Sequence, residues 1–418
     1  MLLKQGVALC VIATPFCALL YDPNVIFPFI TLKAFSFHSL MLIGLTLSSF
    51  LLLIDDELLQ KFFKLFDNKT FKSYLLLLML FCISGLFAEN SFSALWGTSE
   101  RADGIYLHIF CFYLTLISVL ILSKGHWNLV ISSIICVSLL LLYFQIMQDS
   151  RGYFRPGSLL NQPTFLASFY LISIGSCLLL AVTRDNSVIN RILKLFLFLF
   201  IILFIYGIFI SGTRASLIGT LFALIVILLN SYKINKKIFA LCASISISLI
   251  LIILLKFYFS ERIDGFNRII DLENNYSSIQ SRLINIFISL NSINPISGNL
   301  KNFLIGWGWD NYYLAWDYAY IPKIKNYDPA SFDKSHNTYL DILVMVGFLG
   351  LLAFCNLIFN IFISIKAIKS YFLKSAFIFI FTSKFIEYFF TFDSFIGIVL
   401  IQLIFAYLIS TELEGRAS

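Results

Sequence analysis

Long apolar runs separated by polar connections dominate the chain. Runs of spanning length fall at about residues 5–20, 34–54, 73–88, 105–123, 128–147, 163–183, 191–210, 213–230, 237–259, 338–365, 371–386 and 394–410. Roughly 18 or more apolar residues in a helix cross the ~30 Å hydrocarbon core of a bilayer. Helix is the state that satisfies every backbone amide within one segment, and no ten-residue alternating pattern supports a barrel. The pattern therefore predicts an all-α polytopic membrane protein of about twelve transmembrane helices. The opening stretch "MLLKQGVALCVIATPFCALLYDP" has the look of a signal peptide but lacks a small-x-small cleavage site. It is read as a retained first helix.

One connection breaks the rhythm. Residues 260–335 are polar and aromatic, whereas the other connections are short. A loop that long in a compact protein is usually functional. The expected organisation is nine spans over 1–259, a loop with amphipathic helices over 260–335, and three spans over 336–418. Within the loop, "SSIQSRLINIFISL" has helical periodicity after a serine cap. "GWGWDNYYLAWDYAY" is rich in glycine and in the amphipathic aromatics that favour a membrane–water boundary.

Charge orients the chain. With the N-terminus inside, sixteen Lys and Arg fall on the inner side. Only six (Lys33, Arg101, Arg151, Arg155, Arg214 and Lys384) fall on the short outer loops. The positive-inside rule then puts both termini in the cytoplasm and the long loop on the opposite face. Composition agrees with a membrane protein: 59% of residues are hydrophobic and 13% charged, against about 25% charged in soluble domains. The net charge of +7 is strung along loops without a dense basic cluster, which argues against nucleic acid as a partner. All eight cysteines lie inside apolar runs, with no CxxC or Cys/His ligand spacing. Clustered carboxylates are also missing from the sequence pattern, so no residue set in it suggests a metal or cofactor site.

Specialised sequence gathers at the outer helix ends, in "WGTSERADGIY", "RGYFRPGSLLNQPTFLA", "SGTRAS" and "SHNTYLDILVMVGFLG". One-sided specialisation suits an enzyme that takes a lipid-borne substrate. Arg214 sits in a turn so tight that its guanidinium lies at or just below the interface. It could clamp a diphosphate through its bidentate fork, or snorkel to lipid phosphates. His336 follows the polar loop and opens a helix beside Ser335 and Asn337. Its imidazole could accept a proton near neutral pH, or it could be a passive residue at a helix start. Among carboxylates, Asp393 and Glu387 near the last helix, and Asp103 and Asp310 as alternatives, could orient a base or a sugar. Each could equally be an ordinary interfacial acid paired with a cation.

The run "HNTYLDILVMVGFLG" reads His-Asn-x9-Gly-x-x-Gly, which resembles the signature of the O-antigen ligase/O-antigen polymerase superfamily of membrane glycosyltransferases. Flanking elements agree in order. "SGTRAS" resembles the family's Ser-x-Ser/Thr-Arg turn, and "FLIGWGWDNY" its Gly-x-Gly segment with Arg282 upstream. "WGTSERADG" is similar to a Gly-x-x-x-Arg-x-Asp-Gly element. "GSLLNQPTFLA" departs from the family's Gly-x-x-Gly-Asn-Pro-Asn run, with Leu160 at the second glycine and Gln162-Pro163 shifted. No firm role is therefore carried onto Asn161. The likeness spans about residues 95–355.

The resemblance implies a glycan donor built on undecaprenyl diphosphate, presented at the periplasmic face of the inner membrane, and a metal-independent inverting transfer to an acceptor hydroxyl. In that scheme His336 takes the proton. Arg214, with Arg282 and Arg101 or Arg155, neutralises the leaving diphosphate, while Asn337 and Asp393 complete the substrate contacts. Lipid A–core as acceptor makes the chain an O-antigen ligase. A second glycan would make it a polymerase, and a protein would make it an O-oligosaccharyltransferase. The rival of another class is a lipid-linked oligosaccharide flippase or other transporter. That reading would call for ionisable or helix-breaking residues at mid-membrane.

Overall fold

A computed structural model describes residues 2–183, 187–231, 272–297, 300–320 and 332–417. The expected ninth span, 237–259, and parts of the expected loop lie outside the described residues. Every regular element among the described residues is helical. In chain order the α-helices among them are α1 (Leu2–Ala13), α2 (Thr31–Ile54), α3 (Asp56–Leu65), α4 (Lys69–Leu86), α5 (Ser91–Trp96), α6 (Ile105–Ile121), α7 (Lys124–Ser150) and α8 (Pro163–Thr183). There follow α9 (Val188–Ser211), α10 (Arg214–Ser231), α11 (Leu272–Ser292), α12 (Leu300–Ile305), α13 (Tyr312–Ala319), α14 (Thr338–Ala367), α15 (Tyr371–Glu387) and α16 (Phe395–Ala417).

Eight stretches among the described residues are long and apolar enough to cross a membrane: Leu2–Leu19, α2, α4, α7, α8, α9, α14 and Phe395–Glu414. Helices α6 and Arg214–Asn230 are apolar but shorter than any of these. Large apolar side chains stay uncovered along them, for example Ile43, Phe50 and Leu53 on α2 and Ile192, Leu195 and Ile202 on α9. Exposed apolar surface on that scale would aggregate in water and fits a lipid solvent. The chain is an all-α polytopic membrane protein.

The chain divides into two compact units. The first comprises residues 1–130, 276–367 and 391–418, and the second residues 131–275 and 368–390. In the first, α4 packs along α14, and α16 along α6. With no hydrophobic drive between helices in lipid, polar contacts serve as glue. Thr70 and Ser364 hydroxyls lie 2.6 Å apart, and the Asn360 amide donates to Ser73 at 2.8 Å. The non-spanning helix α3 is capped by Asp55, which accepts from the Leu58 amide at 3.0 Å. The Lys61 ammonium donates to the carbonyls of Val119 and Leu120 at 2.9 and 3.0 Å. A cation there complements the negative end of the α6 dipole.

In the second unit α15 packs against α8 and α10. Gln145 ties α7 to α9 by donating to the Gly207 carbonyl at 3.0 Å while accepting from the Tyr170 hydroxyl at 2.9 Å. The structure corrects two placements: Lys33 and Lys384, counted with outer loops, lie inside α2 and α15 and are buried. Loop assignment by charge alone cannot foresee a lysine that finds a partner one turn along its own helix.

Candidate functional site

The first glycine of the His-Asn-x9-Gly-x-x-Gly run serves the backbone. Helix α14 is interrupted at Gly347, which has φ 79° and ψ −177°. A break inside a span strands carbonyls that water cannot reach, so they need partners. The amide of Trp307 donates to Val344 O and that of Gly308 to Met345 O, both at 2.9 Å. The Ser84 hydroxyl adds a third bond, to Met345 O at 2.5 Å. The contact is too close for side chains. A Cβ on Gly306 would stand 2.3 Å from the Met345 carbonyl, and one on Gly347 would stand 2.3 Å from that of Leu304. The Gly-Trp-Gly-Trp segment and the broken helix are therefore one structure, built from two pieces some forty residues apart in sequence.

That junction carries a buried ion cluster. Lys334 lies between Asp310 Oδ1 at 2.9 Å and Asp103 Oδ2 at 3.1 Å. All three side chains are almost fully buried. Asp310 Oδ2 also accepts from the Thr98 amide at 2.6 Å. The Trp309 indole donates to the Asp103 carbonyl at 2.6 Å. Burial alone would lower the Lys334 pKa, but Asp103, Asp310 and Asp341 outweigh it and push it up, so the ammonium is firmly charged. Burial raises Asp310 above the usual carboxylate range, against the pull of Lys334.

Next along the chain, the backbone amide and hydroxyl of Ser335 both donate to Asp341 Oδ1 at 2.7 Å. Asn337 caps α14: its Oδ1 accepts from the amides of Tyr339 and Leu340 at 3.0 and 3.2 Å. Between these anchors His336 is held in the left-handed region, with φ 60°. That region is uncommon for a side chain with a Cβ and persists where surroundings over-determine it. Its half-buried ring stands edge-on to Phe332 and Phe392, at centroid distances of 5.7 and 5.4 Å. Its Nδ1 lies 3.3 Å from the Lys334 carbonyl. That contact suits the tautomer with Nδ1–H donating, which leaves the Nε2 lone pair available. Burial lowers the His336 pKa, and the nearby charges of Arg282 and Arg101 lower it further, against the Lys334 backbone contact and Asp333. The imidazole is neutral at pH 7.

Of the sequence candidates, Arg101, Arg282, His336, Asn337, Asp393, Asp103 and Asp310 all fall in this first unit. Arg101 forms a two-pronged pair with Asp333, its second prong at 2.9 Å, and its guanidinium stands 4.5 Å over the Phe392 ring. Burial opposes the Arg101 charge, but Asp333 more than compensates and the pKa rises. The same pair draws Asp333 below its ordinary value although burial acts the other way. Arg282 is exposed on α11. Asp393 is half-buried beside Phe392 on the segment leading into α16.

Arg214 and Arg155 belong to the second unit. The αL residue Gly212 ends α9, and Arg214 opens α10 two residues later. Arg155, itself at φ 55°, donates through Nε to the Ser211 carbonyl at 3.1 Å. Both arginines thus border one turn. Arg214 stands at a helix start, where amide groups and the helix dipole favour an anion. Glu387 is fully buried in the same unit, accepting from Ser168 and Lys384 at 2.8 and 2.7 Å.

Sequence reasoning passed over Asp333 and Lys334, which Ser335 separates from the His-Asn pair. An adjacent acid and base read as a solvated loop. Only their distant partners Arg101, Asp103 and Asp310 turn them into the anchor of His336.

A comparison with curated proteins returned no match. The family model described as O-antigen ligase matches residues 198–355. The matched stretch takes in Arg214, Arg282, His336, Asn337 and the Gly347 break, and over that stretch the chain is similar to the O-antigen ligase family.

Proposed function

We propose that the chain is an O-antigen-ligase-type glycosyltransferase that moves a glycan from undecaprenyl diphosphate to a hydroxyl of lipid A–core. The reaction takes place at the periplasmic face of the bacterial inner membrane, with both termini cytoplasmic, as a single inverting displacement without a metal. The observation that carries this reading is His336. It is an imidazole whose pKa burial lowers, whose Nδ1 faces the Lys334 carbonyl, and whose backbone is held in the left-handed region beside a buried ion cluster.

In this scheme the acceptor oxygen attacks the anomeric carbon as its proton passes to His336 Nε2. The bond from that carbon to the diphosphate oxygen breaks, and its electron pair leaves with undecaprenyl diphosphate. Arg214 meets the growing negative charge with two parallel hydrogen bonds, aided by Arg282 and Arg155. Arg101, already paired with Asp333, shapes the wall around His336 together with Phe392. Asn337 fixes the helix start beneath the base, and Asp393 contacts the sugar.

The lipopolysaccharide profile of a deletion strain tests the acceptor. Unlinked long polymer supports ligase. Core carrying a single repeat points to polymerase, and unchanged lipopolysaccharide with lost glycoprotein points to a protein acceptor. Arg214→Lys tests the clamp, since the charge survives and the fork does not. It should lose most activity, about 10²-fold or more, while staying in the membrane. Normal turnover in that variant refutes the diphosphate role.

A further inference from the structure

Lys384 and Glu387 lie one turn apart on α15, and neither side chain is exposed to solvent. An ion pair sealed inside an apolar helical unit is a poor way to gain stability. Desolvation consumes most of the Coulomb attraction, and a well-packed apolar pair of the same size does as well or better. Ionisable groups inside membrane helices are costly and mark function by default. The contacts show what this pair is attached to. Glu387 Oε1 accepts from the Ser216 hydroxyl of α10 at 2.5 Å, and Oε2 accepts from the Ser168 hydroxyl of α8 at 2.8 Å and from Lys384 at 2.7 Å. Lys384 in turn donates to the Ser168 oxygen. One carboxylate thus ties three helices.

Two features make this tie a ruler for α10. Ser216 lies two residues after Arg214, in the first turn of the helix. Five residues after Arg214, Gly219 touches the backbone of α15 so closely that a Cβ would stand 2.5 Å from the Ser383 carbonyl. The first contact fixes rotation and the second fixes separation, so neither sliding nor turning of α10 is open. Just ahead of the turn, the Arg155 bond to the Ser211 carbonyl holds the end of α9.

We infer that Lys384 and Glu387 form a buried clasp that sets the register of α10, and through it the placement of Arg214. They are positioning residues and do not touch the substrate. The inference rests on the diphosphate role proposed for Arg214. A misplacement of about 1 Å in a charged group that must meet a leaving group costs up to about 10²-fold in rate. Farther along α10 the polar side chains of Thr220 and Asn230 bond back to carbonyls of their own helix, those of Ser216 and Val226, so Ser216 is the polar link through which the clasp acts on the arginine turn.

The test uses the full-length protein in nanodiscs and the variant Ser216→Ala. That change removes the link to α10 and leaves the Lys384–Glu387 pair intact. Backbone amide exchange is followed over Leu217–Leu221, and the KM for an undecaprenyl-diphosphate glycan is measured alongside. The clasp predicts exchange faster by about tenfold in that stretch and not in α8 or α9. It predicts a donor KM raised about tenfold with a smaller loss of kcat and an unchanged acceptor KM. Glu387→Gln should move both readouts further in the same direction. Should that variant fail to fold, Ser216→Ala still decides. Unchanged exchange overturns the inference, and so does altered exchange with an unaltered donor KM. If Arg214→Lys keeps the wild-type donor KM and turnover, the reading of Arg214 fails, while the exchange arm still reports whether the clasp holds the helix.

Discussion

Replacing Lys334 by Met leaves Asp103 and Asp310 facing each other without their cation. Lys334 and both carboxylates are nearly inaccessible to solvent, so water cannot take the cation's place. Removing one partner of a buried ion pair costs about 3–5 kcal/mol, because an uncompensated charge remains. The strain held at His336 by the same anchor is smaller, about 1–2 kcal/mol for a left-handed residue with a Cβ. The anchor therefore outweighs the strain, and without it His336 is free to leave the left-handed region.

Thermal unfolding of purified Lys334→Met in detergent should show a midpoint several degrees below wild type, with transfer activity lost more completely than stability. The pH dependence follows from the carboxylates. Without Lys334, burial drives Asp310 further above its ordinary value near 3.8. A carboxyl whose folded pKa is raised contributes stability below its unfolded pKa and loses it as pH rises through the folded value. The deficit of the variant should therefore be greatest at neutral pH and narrow on acidification. In the wild type the raised pKa of Lys334 keeps its contribution intact throughout that range. An unchanged midpoint, or a deficit that ignores pH, would refute the anchor.

Two other perturbations separate local electrostatics from backbone packing. Transfer by the wild type should fall off only below pH 6.5, the ordinary value for histidine, since burial, Arg282 and Arg101 all lower His336. Arg282→Gln removes one of those charges and should move the acid limb to higher pH; a limb that moves down contradicts the base assignment. Gly347→Ala forces a Cβ into the Leu304 carbonyl in a backbone region open essentially to glycine alone, at a cost of about 3 kcal/mol or more. Folded protein should be largely lost by fluorescence-detected size exclusion. Gly44→Ala, whose nearest neighbour stands 3.4 Å away, should behave as wild type.

The spans were legible because bilayer thickness imposes a run length, and long runs of Leu, Ile and Phe have little else to do. Thus 338–365 is Thr338–Ala367 and 191–210 is Val188–Ser211. Helix ends such as Lys69 and Lys124 extend past the apolar run because polar residues continue a helix once it leaves the lipid. The short helices α3 and α5 escaped notice for the converse reason: neither is long enough to announce itself by hydropathy.

The local motif points to His336 and Asn337 as candidates but not to Lys334, whose partners Asp103 and Asp310 precede it by more than two hundred and by some twenty residues. Glycine spacing in the motif was visible, yet its purpose, a close approach of two backbones at Gly306 and Gly347, exists only in three dimensions. Lys384 and Glu387 carried opposite signs at helical spacing, which reads equally well as an interfacial salt bridge, and only their burial distinguishes the two.

The most direct measurement of the central claim is transfer by purified protein in liposomes. An undecaprenyl-diphosphate glycan is offered as donor with lipid A–core as acceptor, and wild type is compared with His336→Ala. The account predicts linked product with wild type, and a rate lower by about 10²–10⁴-fold with the variant despite an unchanged elution profile. Wild-type yield from His336→Ala would contradict it. So would a wild-type protein that makes no linked product and instead carries the lipid-linked glycan across the bilayer.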